Sequence, residues 1–105
     1  MKIQINTDKN IPGSETDAHG IETILEQVLA RFSDQITRIE VHLSDENSAA
    51  KSGVVDKRCL LEVRLAGRQP ASVSEQAETV DQAVKGAAQK MVSSLESELG
   101  KLGKH

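Results

Sequence analysis

The stretch Asp56–Gly67, D-K-R-C-L-L-E-V-R-L-A-G, decides how the rest of the chain must fold. Cys59, Leu61, Val63 and Leu65 occupy every second position, with Arg58, Glu62 and Arg64 on the other parity. Successive side chains of a strand point to opposite faces, so this alternation predicts a half-buried β-strand, apolar on one side and charged on the other. Leu60 interrupts the charged row, as befits a strand near the middle of a sheet. An apolar face of this kind needs a covering layer, and the sequence on either side supplies one.

Upstream, Thr37–Ser44 alternates in the same way, with Ile39, Val41 and Leu43 inward and Arg38, Glu40 and His42 outward. The polar connection from Asp45 to Val55 contains Ser48, Ser52 and Gly53 and reads as a hairpin loop. Before that pair, a helix is expected to begin at Thr16 or Asp17, either of which can accept from a free backbone N–H. Its apolar set, Ile21, Ile24, Leu25, Val28, Leu29 and Phe32, is spaced three and four apart and forms one buried stripe. Lys2–Asn6 makes a short first strand, and Thr7–Thr16 carries the turn formers Asp8, Asn10, Pro12, Gly13 and Ser14. Strand, helix and strand in this order suggest a βαβ unit with parallel strands and a right-handed crossover.

Downstream, Gly67 and Pro70 bracket a turn, and Ala71–Gln76 is a weaker fourth strand with Val73 as its only large apolar residue. T-V-D-Q, Thr79–Gln82, matches a capping box that opens the second helix. Its stripe runs through Val80, Ala83, Val84, Ala87, Ala88, Met91, Val92, Leu95 and Leu99, and Gly100 and Gly103 end it beside Lys101 and Lys104. The many alanines let this helix lie close to its neighbours.

The expected fold is therefore α+β, in the order β-α-β-β-β-α: a four-stranded mixed sheet with two helices packed on one face. The other face is left to solvent. Lys2, Gln4, Asn6, Arg38, Glu40, His42, Arg58, Glu62, Arg64, Ser72 and Ser74 would line it. At 105 residues the chain is read as a single domain, residues 1–105.

Composition narrows the function. Aromatic residues are 1% of the chain, the single Phe32, so stacking bases on aromatic platforms is nearly excluded. No apolar run approaches the ~20 residues of a membrane span, and the N-terminus lacks a secretion signal. One cysteine cannot form an intramolecular disulfide, which fits a cytoplasmic location. The net charge is −3, yet its distribution is uneven: residues 1–37 hold three basic and six acidic side chains, and residues 38–68 hold six and five.

Two readings fit the outward basic set Arg38, Lys57, Arg58, Arg64 and Arg68, with His42 nearby. Arginine offers paired donors that match phosphate oxygens, so the set could meet RNA. Alternatively Arg38, Glu40, Arg58, Glu62 and Arg64 are cross-strand ion pairs on a solvated face, worth at most about 1 kcal/mol each. Asp45, Glu46, Asn47 and Asp56 form an acidic cluster, but they are ordinary turn formers and do not have the spacing of an EF-hand, so no metal site is expected. Cys59 shares the buried parity and His42 the exposed one, which opposes a Cys/His nucleophile pair. His19 and His105 belong to no cluster. No catalytic residues, cofactor or small-molecule substrate are expected.

The element order, together with V-H-L-S-D-E-N at Val41–Asn47, Lys51, Gly53, D-K-R-C at Asp56–Cys59, E-V-R-L-A-G at Glu62–Gly67 and the helix opening at Thr79, resembles a known family. It is that of the ribosome hibernation-promoting factors, also called ribosome-associated inhibitor A or sigma-factor modulation proteins, in a short form without the C-terminal dimerisation domain. The resemblance spans essentially the whole chain. It implies a non-enzymatic factor that enters the small ribosomal subunit, contacts ribosomal RNA and holds ribosomes idle under stress. Family members carry many Lys and Arg on the second helix. Here that helix offers Lys85 and Lys90 before its end, with Ser93, Ser94, Glu96 and Glu98 on later turns, and Asp81 stands where an aromatic is common. The alternative is a protein-interaction module of the same fold that works through a protein partner or as a homodimer.

Overall fold

The computed structural model describes residues 2–8, 18–45 and 57–103, with side chains as far as Glu98. Residues 9–16 of the turn expected at Thr7–Thr16, the helix cap at Thr16 or Asp17, most of the 45–55 connection and the two terminal residues lie outside the described residues. The elements are β1 (Lys2–Thr7), α1 (Ala18–Val28), β2 (Ile36–Asp45), β3 (Lys57–Leu65), β4 (Ala71–Ala77) and α2 (Val80–Gly103). The strands form one sheet in the order β1-β2-β3-β4. β1 runs parallel to β2, and β2–β3 and β3–β4 are antiparallel. The α+β fold read from the sequence is the one observed.

Cys59, Leu61, Val63 and Leu65 of β3 are buried, as are Ile39, Val41 and Leu43 of β2. They share one apolar core with Ile21, Leu25 and Leu29 from the α1 side and with Val80, Ala83, Val84, Ala87, Ala88, Met91 and Leu95 of α2. The alanines of α2 are fully buried and bring its backbone close to β3 and β4. At its start the Gln82 N–H donates to Thr79 Oγ1 at 3.1 Å, the bond expected of a capping threonine. At the β3–β4 turn Gly67 adopts φ +70°, a left-handed conformation that glycine takes without a Cβ penalty.

Two details differ from the expectation. The stripe that ends in Phe32 is not one α-helix: after Val28 the chain tightens into a 3₁₀ turn at Ala30–Phe32. Bonds from Phe32 N–H to Leu29 O and from Ser33 N–H to Ala30 O satisfy the terminal carbonyls in the usual way of a fraying helix end. β2 also begins one residue earlier, at Ile36, with a register shift between Ile36 and Arg38. This irregularity lets Ile36 and Ile39, which have opposite parities, both face the core.

Candidate nucleic-acid interface

With both helices on one side, the strand pairing arranges the outward side chains of the other side in rows across the sheet. Lys2, Arg38 and Arg64 stand opposite one another in the first row. Gln4, Glu40, Glu62 and Ser72 make the second, and Asn6, His42, Leu60 and Ser74 the third. Ser44, Arg58 and Gln76 make the fourth. Neighbouring rows lie two residues, about 7 Å, apart along a strand. The pattern is therefore basic, acidic, neutral, basic.

Glu40 is the centre of the charge network. Its carboxylate accepts from Arg38 Nε at 3.0 Å, lies 3.6 Å from His42 Nε2 and 4.0 Å from an Arg64 guanidinium nitrogen. Arg38 also donates to the side-chain carbonyl of Gln4. Glu62 stands directly opposite Glu40, and like charges so placed oppose each other. Among the described residues, neither Glu62 nor Arg58 forms an ion pair. The expected ion pairing of this face thus holds around Glu40 and fails at Arg58 and Glu62.

Of the candidate residues, Arg38, His42, Arg58 and Arg64 come together on the open face. Lys57 does not. It was expected to point outward, but it has the parity of Cys59, and its ammonium lies 3.2 Å from Asp45 Oδ2 on the opposite side of the sheet, only 12% exposed. A lysine opening a strand can turn inward when the facing strand ends in a carboxylate. Arg68 sits half-buried in the β3–β4 turn, its N–H donating to Leu65 O at 3.3 Å. Lys85 and Lys90 belong to α2, in the layer behind the sheet. Lys90 reaches the β4 edge, 2.6 Å from Glu75 Oε1, and donates to Ser74 O at 2.9 Å. Lys2 and Gln76 join the arginine rows, and Gln4 accepts from Arg38 out of the acidic row; Lys2 and Gln4 were expected on this face, Gln76 was not. Their only signal was parity, which becomes specific once the register of β1 and β4 is known.

Cys59 is fully buried, and loss of hydration pushes its thiol up to about 12. His42 projects from the other face of the sheet, so the two do not meet. A shallow hollow between the β3–β4 turn and α2, lined by Leu65, Gln69, Pro70, Ala71, Ser94 and Glu98, holds one ionisable group. Among the described residues no three His, Cys, Asp or Glu side chains gather as metal ligands. Glu46, Asn47 and Asp56 of the acidic cluster lie outside the described residues.

Residues 5–103 match the family described as sigma 54 modulation protein / S30EA ribosomal protein. The chain belongs to that family. The resemblance carried by Val41–Gly67 is thereby borne out. Two solved structures have a similar fold. The N-terminal domain of Protein Y from Thermus thermophilus is 21% identical, with a TM-score of 0.69 and coverage of 92% of this chain and 98% of that one. A ribosomal subunit interface protein from Coxiella burnetii is 16% identical, with a TM-score of 0.67 and coverage of 95% and 99%. No curated protein matches. At these identities the two structures speak for the fold, and the family match speaks for kinship. No helix among the described residues is long and apolar enough to cross a membrane.

Proposed function

We propose that this family member is a non-enzymatic, ribosome-associated factor of the cytoplasm. It binds the small ribosomal subunit through ribosomal RNA and helps to hold ribosomes inactive under stress. The observation that carries this reading is the bare side of the sheet, where Arg38, Arg58, Arg64 and His42 are presented together while both helices cover the reverse. Arginine forks on a rigid sheet suit phosphate oxygens, and a factor that acts by occupying a site needs neither cofactor nor small-molecule substrate. Membership of the S30EA ribosomal protein family and a fold shared with a ribosomal subunit interface protein support the same partner.

Co-sedimentation with small subunits on a sucrose gradient tests it. Arg58→Glu combined with Arg64→Glu should weaken binding about tenfold or more and lower the log–log salt slope by roughly 2. Unchanged co-sedimentation of this double variant overturns the reading.

A second reading, a protein-interaction module of the same fold that works through a protein partner or a homodimer, has one observation in its favour. Several cations are already engaged: Arg38 and Arg64 by Glu40, Lys57 by Asp45 and Lys90 by Glu75. Ribosome binding that is absent or insensitive to salt, with a dimer mass by light scattering, would favour it.

A further inference from the structure

The charged rows of the open face are unequal, and the inequality selects among RNAs. Arg58 and Arg64 lie on the same strand and the same face, six residues or about 20 Å apart. Between them stand Leu60 and Glu62, and Glu62 is matched across the sheet by Glu40. Glu40 is drawn toward Arg38, Arg64 and His42, but no cation compensates Glu62 among the described residues. A single RNA strand laid along β3 from Arg58 to Arg64 would have to carry its phosphates across this acidic row. Two separate backbone segments, each meeting one end of the strand, would not. A folded RNA can present two such segments, and an unstructured one has no fixed second segment to offer.

We infer that Glu62, supported by Glu40, is a specificity-determining residue that repels continuous single-stranded RNA and leaves the face open to folded RNA whose backbone arrives at two places. The inference rests on the RNA-binding reading above and deepens it. Leu60, which stands between Glu62 and Arg58 on β3, adds no phosphate partner that would offset the repulsion. The acidic row thus divides one arginine face into two anchoring points.

The test compares the wild-type chain, Glu62→Gln and Glu26→Gln for binding to a 20-nucleotide oligo(U) and to small ribosomal subunits at one fixed salt concentration. Glu26 is exposed on α1, behind the sheet, so its variant controls for net charge alone. Glu62→Gln should bind oligo(U) roughly two- to fivefold more tightly than Glu26→Gln, the scale of one exposed charge term. Its small-subunit affinity should change less, so that discrimination against oligo(U) falls. Equal oligo(U) affinities for the two variants, including no detectable binding by either, overturn the inference. They leave the ribosome reading standing wherever Arg58→Glu with Arg64→Glu still abolishes co-sedimentation. If that double variant co-sediments normally, both fall.

Discussion

Cys59 faces the core from the middle of the sheet, and its protonation ties stability to alkaline pH. An unfolded thiol ionises near its ordinary value of 9.0, whereas burial holds the folded one up to about 12. Between those values the native state keeps a proton that the unfolded state has released, so raising the pH favours unfolding. The contribution is intact below about pH 9 and is lost progressively as the pH climbs toward the folded value. One proton corresponds to a slope of at most about 1.4 kcal/mol per pH unit. The chain has no tyrosine, so lysines are the other side chains that titrate in this window. Urea unfolding at pH 7.5, 9 and 10.5 should show the wild type losing stability with pH more steeply than Cys59→Ala. Parallel losses would mean that the thiol is not sealed from water. At this same scale Lys57 shows where reading residues singly fails. Parity counted from Cys59 places it inward, but a charge opening a strand suggests an outward one. Its partner, Asp45, becomes visible only when the β2–β3 register is fixed.

Between elements, the contact of α2 with β4 turns on Gly86. A Cβ there would come within 2.5 Å of a Glu75 carboxylate oxygen and 2.6 Å of its Cγ. Glu75 points toward the helix layer from an edge strand and is held by Lys90, an inward charge that discourages strand addition at that edge. Glycine within a helix costs roughly 1 kcal/mol relative to alanine, so propensity alone favours Gly86→Ala. The clash would drive Glu75 off its seat and forfeit a pair worth at most about 1 kcal/mol, and the two effects nearly cancel. Their separation by double-mutant cycle is the prediction. Gly86→Ala should leave wild-type stability within about 1 kcal/mol, yet stabilise the Glu75→Ala background by about 1 kcal/mol. Equal effects in both backgrounds would show that the helix does not press on this side chain. Elements were legible from the sequence to the extent that each carries its own periodicity. The alternation of β3, the α2 stripe from Val80 to Leu95 and the Thr79 cap are local patterns, and they stand as read. The shift that puts both Ile36 and Ile39 in the core, and the 3₁₀ turn that ends in Phe32, depend on partner strands and packing. No periodicity within one segment encodes them.

Taken whole, the molecule has a field whose sign depends on the distance from which it is felt. The chain carries −3 overall. The open face holds Lys2, Arg38, Arg58 and Arg64 against Glu40 and Glu62, a local excess of two positive charges with His42 neutral. The molecule measures 22 × 20 Å across its short axes. At about 0.01 M salt the Debye length, about 30 Å, exceeds that thickness, and an approaching RNA senses the net negative charge of the entire chain. At about 0.1 M it falls to about 10 Å, so an RNA near the sheet senses mainly the arginine rows. Further salt screens the rows themselves. The association rate with small subunits, followed by stopped-flow fluorescence, should therefore rise from the lowest salt to a maximum near 0.1 M and fall beyond it. A uniformly basic binder would slow monotonically over the same range. In the Arg58→Glu, Arg64→Glu double variant the face becomes net negative, near and far fields agree, and the maximum should vanish in favour of a steady rise. A wild-type rate that only falls with salt would place the RNA against some other, more basic surface. A rate that only rises would mean that the sheet face does not meet RNA at all.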